Sequence, residues 1–165
     1  MKKVFCGFLV TVTLAGLVGC ASAPKPTMTP MEIQAMQTQE FETSKKVAFA
    51  SVVSVFQDLG YIIDSADIDT GLITANSPSD SKKDWLFTGN TYTSKTRATA
   101  FVEPVQQERA RIRLNFVAVN HTSSAWGQGS QEDQPILDQE VYRKAFSKID
   151  EAIFVRSANT DMSSN

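Results

Sequence analysis

The stretch that most constrains the fold of this chain lies between Arg109 and Asn120. Apolar residues at even positions alternate there with polar residues at odd positions: Ile112, Leu114, Phe116 and Ala118 against Arg111, Arg113 and Asn115. A period of two puts the apolar side chains on one face of a strand and the polar side chains on the other. The pattern predicts a strand of an antiparallel sheet with one face in water, so the other face needs a covering layer.

Further strands are predicted on both sides of this one. Residues Thr91 to Val105 alternate in the same way, and Pro104 to Glu108 predicts the turn between the two strands. The apolar runs 61–63 and 72–75 flank the turn residues 67–71, which predicts a hairpin in which Gly71 adopts a positive φ. With a first strand between Glu32 and Thr43, the sheet has about five strands.

Two segments have helical periodicity and supply the covering layer. Ser44 is a candidate N-cap, apolar residues recur at helical spacing from Val47 to Leu59, and Gly60 suits the position after the helix. A second amphipathic helix is predicted after Pro135 and Asp138, with apolar residues recurring from Val141 to Ile153 and the helix fading near Arg156. The expected fold class is therefore α+β, a two-layer sandwich of an antiparallel sheet with two amphipathic helices on one face.

Two polar segments are predicted to be loops, and both contain aromatic residues. Asn76 to Asn90 contains Trp85, Leu86 and Phe87, and Asn120 to Pro135 has Trp126 at its middle. Aromatic residues in a long loop usually pack onto the domain, whereas an exposed group would contact a partner or the membrane. We take Trp85, Phe87 and Trp126 as the candidate binding residues.

The N-terminal residues predict localisation to the cell envelope. Lys2 and Lys3 precede an uncharged, mostly apolar run from Val4 to Val18, which is typical of a signal peptide. The following Leu-Val-Gly-Cys, ending at Cys20, resembles the lipobox of bacterial lipoproteins. That resemblance implies cleavage before Cys20, acylation of this cysteine, and, with Ala21 next to it, the outer membrane. An ordinary secretory signal is the alternative.

These patterns divide the chain into four parts. Residues 1–19 are the predicted lipoprotein signal peptide, 20–31 the lipidated cysteine and a proline-rich tether, 32–158 a single α+β domain, and 159–165 a polar tail. Loss of residues 1–19 removes two lysines and no acids, leaving 14 basic residues against 18 acidic ones and a formal net charge of −4. This charge argues against nucleic acid as a partner.

The sequence offers little that indicates catalysis or cofactor binding. His121 is the only histidine, and neither Cys6 nor Cys20 would be free in the mature chain, so no metal site and no cofactor are predicted. The acids Asp64, Asp67 and Asp69 do not form an EF-hand loop, because the twelfth residue counted from Asp67 is Pro78. No catalytic residue is predicted, and the chain is expected not to be an enzyme.

Three segments carry a resemblance to a known family. The runs 55–64 and 69–75 resemble a motif of a family of small bacterial outer-membrane lipoproteins without an assigned activity, and 139–149 resembles its closing helix. The architecture also resembles accessory lipoproteins of the outer-membrane β-barrel assembly machinery. The second resemblance is architectural, and a fold does not specify a function. The leading hypothesis is a non-enzymatic outer-membrane lipoprotein whose periplasm-facing domain binds an envelope protein in assembly or maintenance.

Two other functions stay open at this point. One is a carrier or sensor of a small lipid or glycan, held between the helices and the sheet. The other is a cell-wall hydrolase that uses two carboxylates, for which Asp64, Asp67, Asp69 and Glu103 are the candidates.

Overall fold

The computed structural model describes residues 28–84, 90–124, 126 and 128–163. Within them the chain forms three helices and seven strands, in the order α1 (Pro30–Gln37), β1 (Thr38–Phe41), α2 (Lys45–Asp58), β2 (Ile62–Asp67), β3 (Leu72–Asn76), β4 (Asp80–Asp84), β5 (Asn90–Gln106), β6 (Arg109–Ser123), β7 (Gly129–Pro135) and α3 (Gln139–Ser163). Every strand pairing is antiparallel. The predicted α+β class is confirmed, with an open sheet that has more strands than expected.

The long strands β5 and β6 pair with each other at the centre of the sheet. On its outer side, each of them pairs with one short strand along its first part and with another short strand along the rest. The main strand order is β1-β6-β5-β3-β2, and beyond these strands β4 pairs with β5 and β7 pairs with β6. We call β1, β2, β3, residues 97–106 and residues 109–116 the covered part of the sheet. The remaining strand segments, β4, residues 90–96, residues 117–123 and β7, are the distal part.

The hydrophobic core lies between the covered part and the helices α2 and α3. Its sheet side comprises Phe41, Ile73, Ala75, Ala98, Ala100, Val102, Ala110, Ile112, Leu114 and Phe116, and its helix side Ala48, Phe49, Val52, Val55, Phe56, Tyr142, Ala145, Phe146, Ile149 and Ile153. The predicted alternation in β6 is confirmed, because Ile112, Leu114 and Phe116 are buried whereas Arg113 is exposed. The two predicted helices therefore do cover one face of the sheet.

The residues at both ends of α2 act as predicted. The buried face of the helix is rotated relative to the predicted one. The Ser44 hydroxyl accepts a hydrogen bond from Val47 N–H, and Gly60 after the helix has a φ of 82°. The buried residues are Ala48, Phe49, Ser51, Val52, Val55 and Phe56. Leu59, predicted to be buried, is exposed, because Gly60 ends the helix immediately after it.

Residues 32–37, predicted as the start of a strand, instead lie in α1, so the predicted strand is reduced to β1. The Thr29 hydroxyl accepts from Glu32 N–H while the Glu32 carboxylate accepts from Thr29 N–H, a capping box with Pro30 at the first helical position. At the other end of the chain, α3 continues to Ser163, beyond the predicted end of the domain at residue 158.

The two polar segments predicted as loops contain strands. Residues 80–84 form β4, and residues 129–135 form β7, which pairs with β6 up to Ser123. Nearly all the described side chains of β4 and β7 are exposed on both faces. Because neither face is buried, neither strand has the alternation from which a strand is predicted.

Additional hydrogen bonds are made to backbone groups of β5 and β6 at the points where one neighbouring strand ends and the next begins. Between β1 and β7, the Phe116 N–H donates to the Tyr142 hydroxyl at 3.3 Å, and the Phe116 carbonyl accepts from Ile136 N–H. Between β3 and β4, the Thr96 N–H donates to the Ser77 hydroxyl at 2.8 Å. Each long strand thus stays hydrogen-bonded through the gap between its two neighbours.

The turn between β2 and β3 is confirmed in its predicted form. The Asp67 carboxylate accepts from Asp69 N–H at 2.9 Å, and Gly71 has a φ of 81°. A Cβ atom at Gly71 would also overlap the Val102 carbonyl oxygen. Glycine is therefore required at this position both by conformation and by the close approach of β5.

Candidate functional site

The distal part of the sheet lies beyond the helical layer. On the side of the sheet that faces the helices, burial is complete at Ala98 and Phe116, whereas Thr96 and Ala118 are half-buried and Tyr92 is 46% exposed. Residues 117–123 continue β6 for roughly 24 Å at about 3.4 Å per residue. The distal part therefore adds surface to the domain but almost nothing to its core.

Four strand ends lie together at the far end of this part. Asp84 pairs with Asn90, Thr91 pairs with Ser123, and Ser123 pairs with Gly129. The strands β4 and β6 thus end, and β5 and β7 begin, at the same end of the sheet. The connection between β6 and β7 contains Trp126, one of the candidate binding residues.

Trp126 stands at the apex of a turn that is closed by hydrogen bonds. Ser124 N–H donates to the Gln128 carbonyl at 2.8 Å, and Gln128 N–H donates to the Ser124 hydroxyl at 3.2 Å. The Trp126 side chain is 92% exposed. A large aromatic side chain is thus held in water on a defined turn, which is the arrangement of an interface anchor before its partner binds.

The strands behind this turn are joined by polar contacts. The Ser94 hydroxyl donates to the Asn120 side-chain oxygen at 2.8 Å, and Arg97 faces Asp133 at 3.6 Å. A shallow recess of about 240 Å³ lies on the helix-facing side, lined by Asp80, Lys82, Tyr92, Thr93, Ser94, Asn120, His121 and Thr122. Its donors, acceptors and tyrosine ring suit polar recognition.

The other candidate residues fall outside the described parts of the chain. Trp85 and Phe87 lie in the segment 85–89, and Cys20 precedes residue 28. Their predicted roles in binding and in lipidation stay predictions.

Three of the four acids weighed for catalysis are engaged in other contacts, and the Asp64 carboxylate accepts from the Asn76 side-chain amide. Glu103 is held by Arg111 at 3.2 Å, and the Asp69 N–H lowers the pKa of the Asp67 carboxyl, opposite to the raised pKa of a general acid. Among the described residues, no three histidine, cysteine or acidic side chains come together as a metal site.

Two clefts lie beside the helices and escaped prediction from the sequence. One, of about 480 Å³, lies between α2 and α3 and includes Asp58, Lys148 and Arg156, with Arg156 donating to Ser54 at 2.8 Å. The other, of about 400 Å³, lies between β1 and α3 and is lined by Gln39, Glu40, Phe41, Glu42, Asp150, Ile153, Phe154 and Ser157. Phe154 is 75% exposed there. It lies within the predicted helix but outside the predicted apolar set, and an apolar residue at that position was the available signal.

Comparisons with known proteins identify no relative that would indicate a function. No protein-family model matches the chain, and no curated protein matches it. Among solved structures, it is similar to the crystal structure of a DUF4468 family protein from Bacteroides ovatus, with 10% identity and a TM-score of 0.33 over 57% of this chain and 58% of that one. The chain spans less than two thirds of that protein, and a likeness at this level carries no argument about function.

The helices were also compared with the requirements for a membrane span. Among the described residues, none of the helices combines the length and apolarity that crossing a bilayer requires.

Proposed function

We propose that this protein is a non-enzymatic outer-membrane lipoprotein, anchored through Cys20, whose periplasm-facing domain binds an envelope protein in assembly or maintenance. The distal part of the sheet is its binding surface. The observation that carries the proposal is Trp126, exposed at the apex of a hydrogen-bonded turn at the far end of strands that contribute almost nothing to the core.

The energetic roles of the two parts of the sheet support a binding surface at this end. Strands that extend beyond the core gain little from burial, so the stability of the domain does not explain why β4 and β7 are there. Tryptophan and tyrosine are enriched among the residues that dominate interface energies. Trp126 and Tyr92 thus supply anchors, and the polar groups around them supply a rim that stays in water.

The proposed lipid attachment at Cys20 is supported by the sequence around this residue. Thioether attachment at the sulfur and acylation of the new amino group place more than one chain on a single residue, and each buried methylene contributes about 0.8 kcal/mol. Because α1 begins at Pro30 with Thr29 as its N-cap, the tether predicted for residues 20–31 is limited to residues before Thr29. Residues 21–28 would reach roughly 25 Å if extended, at about 3.1 Å per residue. The domain would then contact partners that stand away from the lipid headgroups.

Metabolic labelling with an alkyne analogue of palmitate tests the anchor. The wild-type chain is expected to carry the label and to fractionate with the outer membrane, while Cys20→Ser carries none. Equal labelling of both forms, or release of the wild type as a soluble periplasmic protein, would contradict the proposal.

Site-specific photocrosslinking in intact cells tests the binding surface. A photoreactive phenylalanine analogue at position 126 is expected to yield a crosslinked envelope protein, and the same analogue at the exposed Ser147 on α3 is the control position. The partner is expected to copurify with the wild type and with Trp126→Phe, and to be lost with Trp126→Ala.

Trp85→Ala is tested in the same copurification experiment. The binding role of Trp85 is a prediction from the sequence alone. The distal part is not the binding surface if no protein is crosslinked at position 126 and if Trp126→Ala and Trp85→Ala both copurify with the same proteins as the wild type.

A further inference from the structure

The two faces of the distal part differ in charge. Residues that pair across neighbouring strands share a face, and the even-numbered residues of β5 face the helices, because Ala98 and Ala100 are buried there. We call the opposite side of the sheet the outer face. Among the described side chains of the distal part, the helix-facing side has two acids and one base, Asp80, Glu132 and Lys82, and the outer face has two bases and one acid, Lys83, Lys95 and Asp133.

The acid of the outer face is compensated within the sheet, whereas the two lysines are not. The Asp133 carboxylate lies 3.6 Å from the Arg97 guanidinium and accepts from the Gln131 side-chain amide at 2.8 Å. Lys83 and Lys95 take part in none of the ion pairs formed by the described residues. The outer face of the distal part is therefore positive, on a chain whose formal net charge is −2.

Acids of the covered part are engaged in contacts of their own. The Asp64 carboxylate accepts from the Asn76 side-chain amide, and Glu40 and Glu103 both pair with Arg111. The connections 85–89 and 124–128 add no charged residue to the distal part. The charges of Lys83 and Lys95 are thus available to a ligand.

A concavity of about 300 Å³ lies on the outer face. We call it the outer concavity, and it is lined by Ser79, Thr93, Lys95, Val119, His121 and Ser123. Val119 is only 1% exposed, although it lies beyond the helical layer. Ser123 is the residue before Ser124, which closes the turn of Trp126. The outer concavity therefore runs from the base of this turn to Lys95.

The spacing of the two lysines indicates an elongated ligand. Lys83 pairs with Thr91, and Thr91 pairs with Ser123, so Lys83 lies in the row of the sheet next to the Trp126 turn. Lys95 is four residues farther along β5, roughly 14 Å at about 3.4 Å per residue. A single phosphate or carboxylate is too small to pair with both lysines, whereas two acids of an extended chain span this distance if they are about four residues apart.

We propose that the partner segment that contacts Trp126 continues across the outer face and carries two acidic residues, aspartate or glutamate, about four residues apart. These acids pair with Lys83 and Lys95, and the segment between them crosses the outer concavity. The inference rests on the function proposed above and adds the chemistry of the partner. Complementary charges of this kind give an interface its specificity and make its formation dependent on salt.

Crosslinking from the outer face tests where the segment lies and what it contains. A photoreactive phenylalanine analogue at the exposed Ser81, which pairs with Thr93 on this face, is expected to capture the same protein as the analogue at position 126. Ser147 on α3 is again the control position. Mass spectrometry of the crosslinked peptide is expected to show two acidic residues about four positions apart.

Charge reversal tests the pairing, with copurification of the partner with the full chain from detergent-solubilised membranes as the measurement. Lys83→Glu and Lys95→Glu are each expected to lower the yield about threefold and together about tenfold, and Lys95→Arg to leave it unchanged. Lys82→Glu is the matched control, since Lys82 is adjacent in sequence but lies on the helix-facing side. It is expected to change the yield less than about twofold.

The acids of β7 provide a second matched pair, in which binding should increase. Asp133→Asn removes the acid of the outer face and is expected to raise the yield about twofold, whereas Glu132→Gln, on the helix-facing side, should leave it unchanged. Raising the NaCl concentration from about 50 to 500 mM is expected to lower the yield of the wild type but not that of the double lysine variant. Lost folding alone would not produce this pattern.

The outcomes distinguish this inference from the function on which it rests. Capture at position 126 with a crosslinked segment that lacks acids, equal effects of Lys82→Glu and Lys83→Glu, or a yield that does not respond to salt would overturn the acidic segment and leave the proposed function standing. Capture at position 81 alone would contradict the role of Trp126 and support the outer face. An absence of capture at both positions would overturn both proposals.

Discussion

The covered and distal parts of this sheet share the same two central strands and differ in what surrounds them. In the covered part, one face of β5 and β6 is buried under α2 and α3; in the distal part, every described residue except the buried Val119 is partly or fully exposed. Residues of β5 pass from fully buried Ala98 to half-exposed Tyr92 within one strand. The difference shows that strand length here is set by backbone pairing, while stability is concentrated where helices supply apolar contacts.

The largest expected difference comes from truncating one aromatic side chain in the helical layer over the covered part and one in the distal part. Phe56 is fully buried and its ring lies 5.7 Å from Tyr61 and 6.4 Å from Phe116. Phe56→Ala is expected to lower the free energy of unfolding by about 3–5 kcal/mol through lost burial and a cavity. Tyr92→Ala, in the distal part, is expected to cost about 1 kcal/mol or less. Urea unfolding followed by circular dichroism measures the free energy of unfolding of both variants. Equal decreases would show that the two parts do not differ in their contribution to stability.

A second test uses the two glycines that precede β2 and β3, whose φ values are nearly equal, 82° at Gly60 and 81° at Gly71. Gly71→Ala is expected to cost about 3 kcal/mol or more, because the new methyl group overlaps the Val102 carbonyl in addition to the strain of a positive φ. Gly60 has the same φ but no atom within 4 Å of the added Cβ, so Gly60→Ala should cost about 1 kcal/mol. Similar unfolding midpoints for the two variants would show that the approach of β3 to β5 is not tight.

The boundary between the two parts is tested by the hydroxyl groups that bridge it. Tyr142→Phe leaves the buried N–H of Phe116 without its acceptor and is expected to cost about 1–3 kcal/mol. Ser77→Ala removes the acceptor of the half-buried Thr96 N–H, which water can partly replace, and should cost about 1 kcal/mol. Faster amide exchange at residues 116 and 96 in the respective variants would locate each loss.

The smallest expected effect is a pH dependence at the β2–β3 turn. Asp69 N–H stabilises the charged form of Asp67, so the pKa of this carboxyl in the folded protein lies below its ordinary value of about 3.8. A lowered folded pKa gives stability that is fully present above the unfolded pKa and is lost as the pH falls through the folded pKa. Asp67→Asn should therefore flatten the pH dependence of the unfolding midpoint below about pH 4. An unchanged slope in this variant would assign the acid sensitivity to other carboxylates.

The candidate binding surface could be predicted from the sequence only in part. Trp126 was identified because an aromatic residue stands alone among polar ones, and its exposure agrees with a contact role. Phe154 was not identified, since its significance depends on β1 lying next to α3, which no local pattern specifies. The roles of Cys20, Trp85 and Phe87 stay predictions from their sequence context.

The sequence by itself determined the elements that bury one face. Alternation in 109–120, helical spacing after Ser44, and Asp67 with Gly71 each encode a local requirement of burial, capping or positive φ, and each element formed as predicted. Only the tertiary structure decided that residues 80–84 and 129–135 are strands, because their backbone groups find partners on β5 and β6 while their side chains gain nothing from burial. A strand held by its neighbour's backbone leaves no hydrophobic pattern in its own residues.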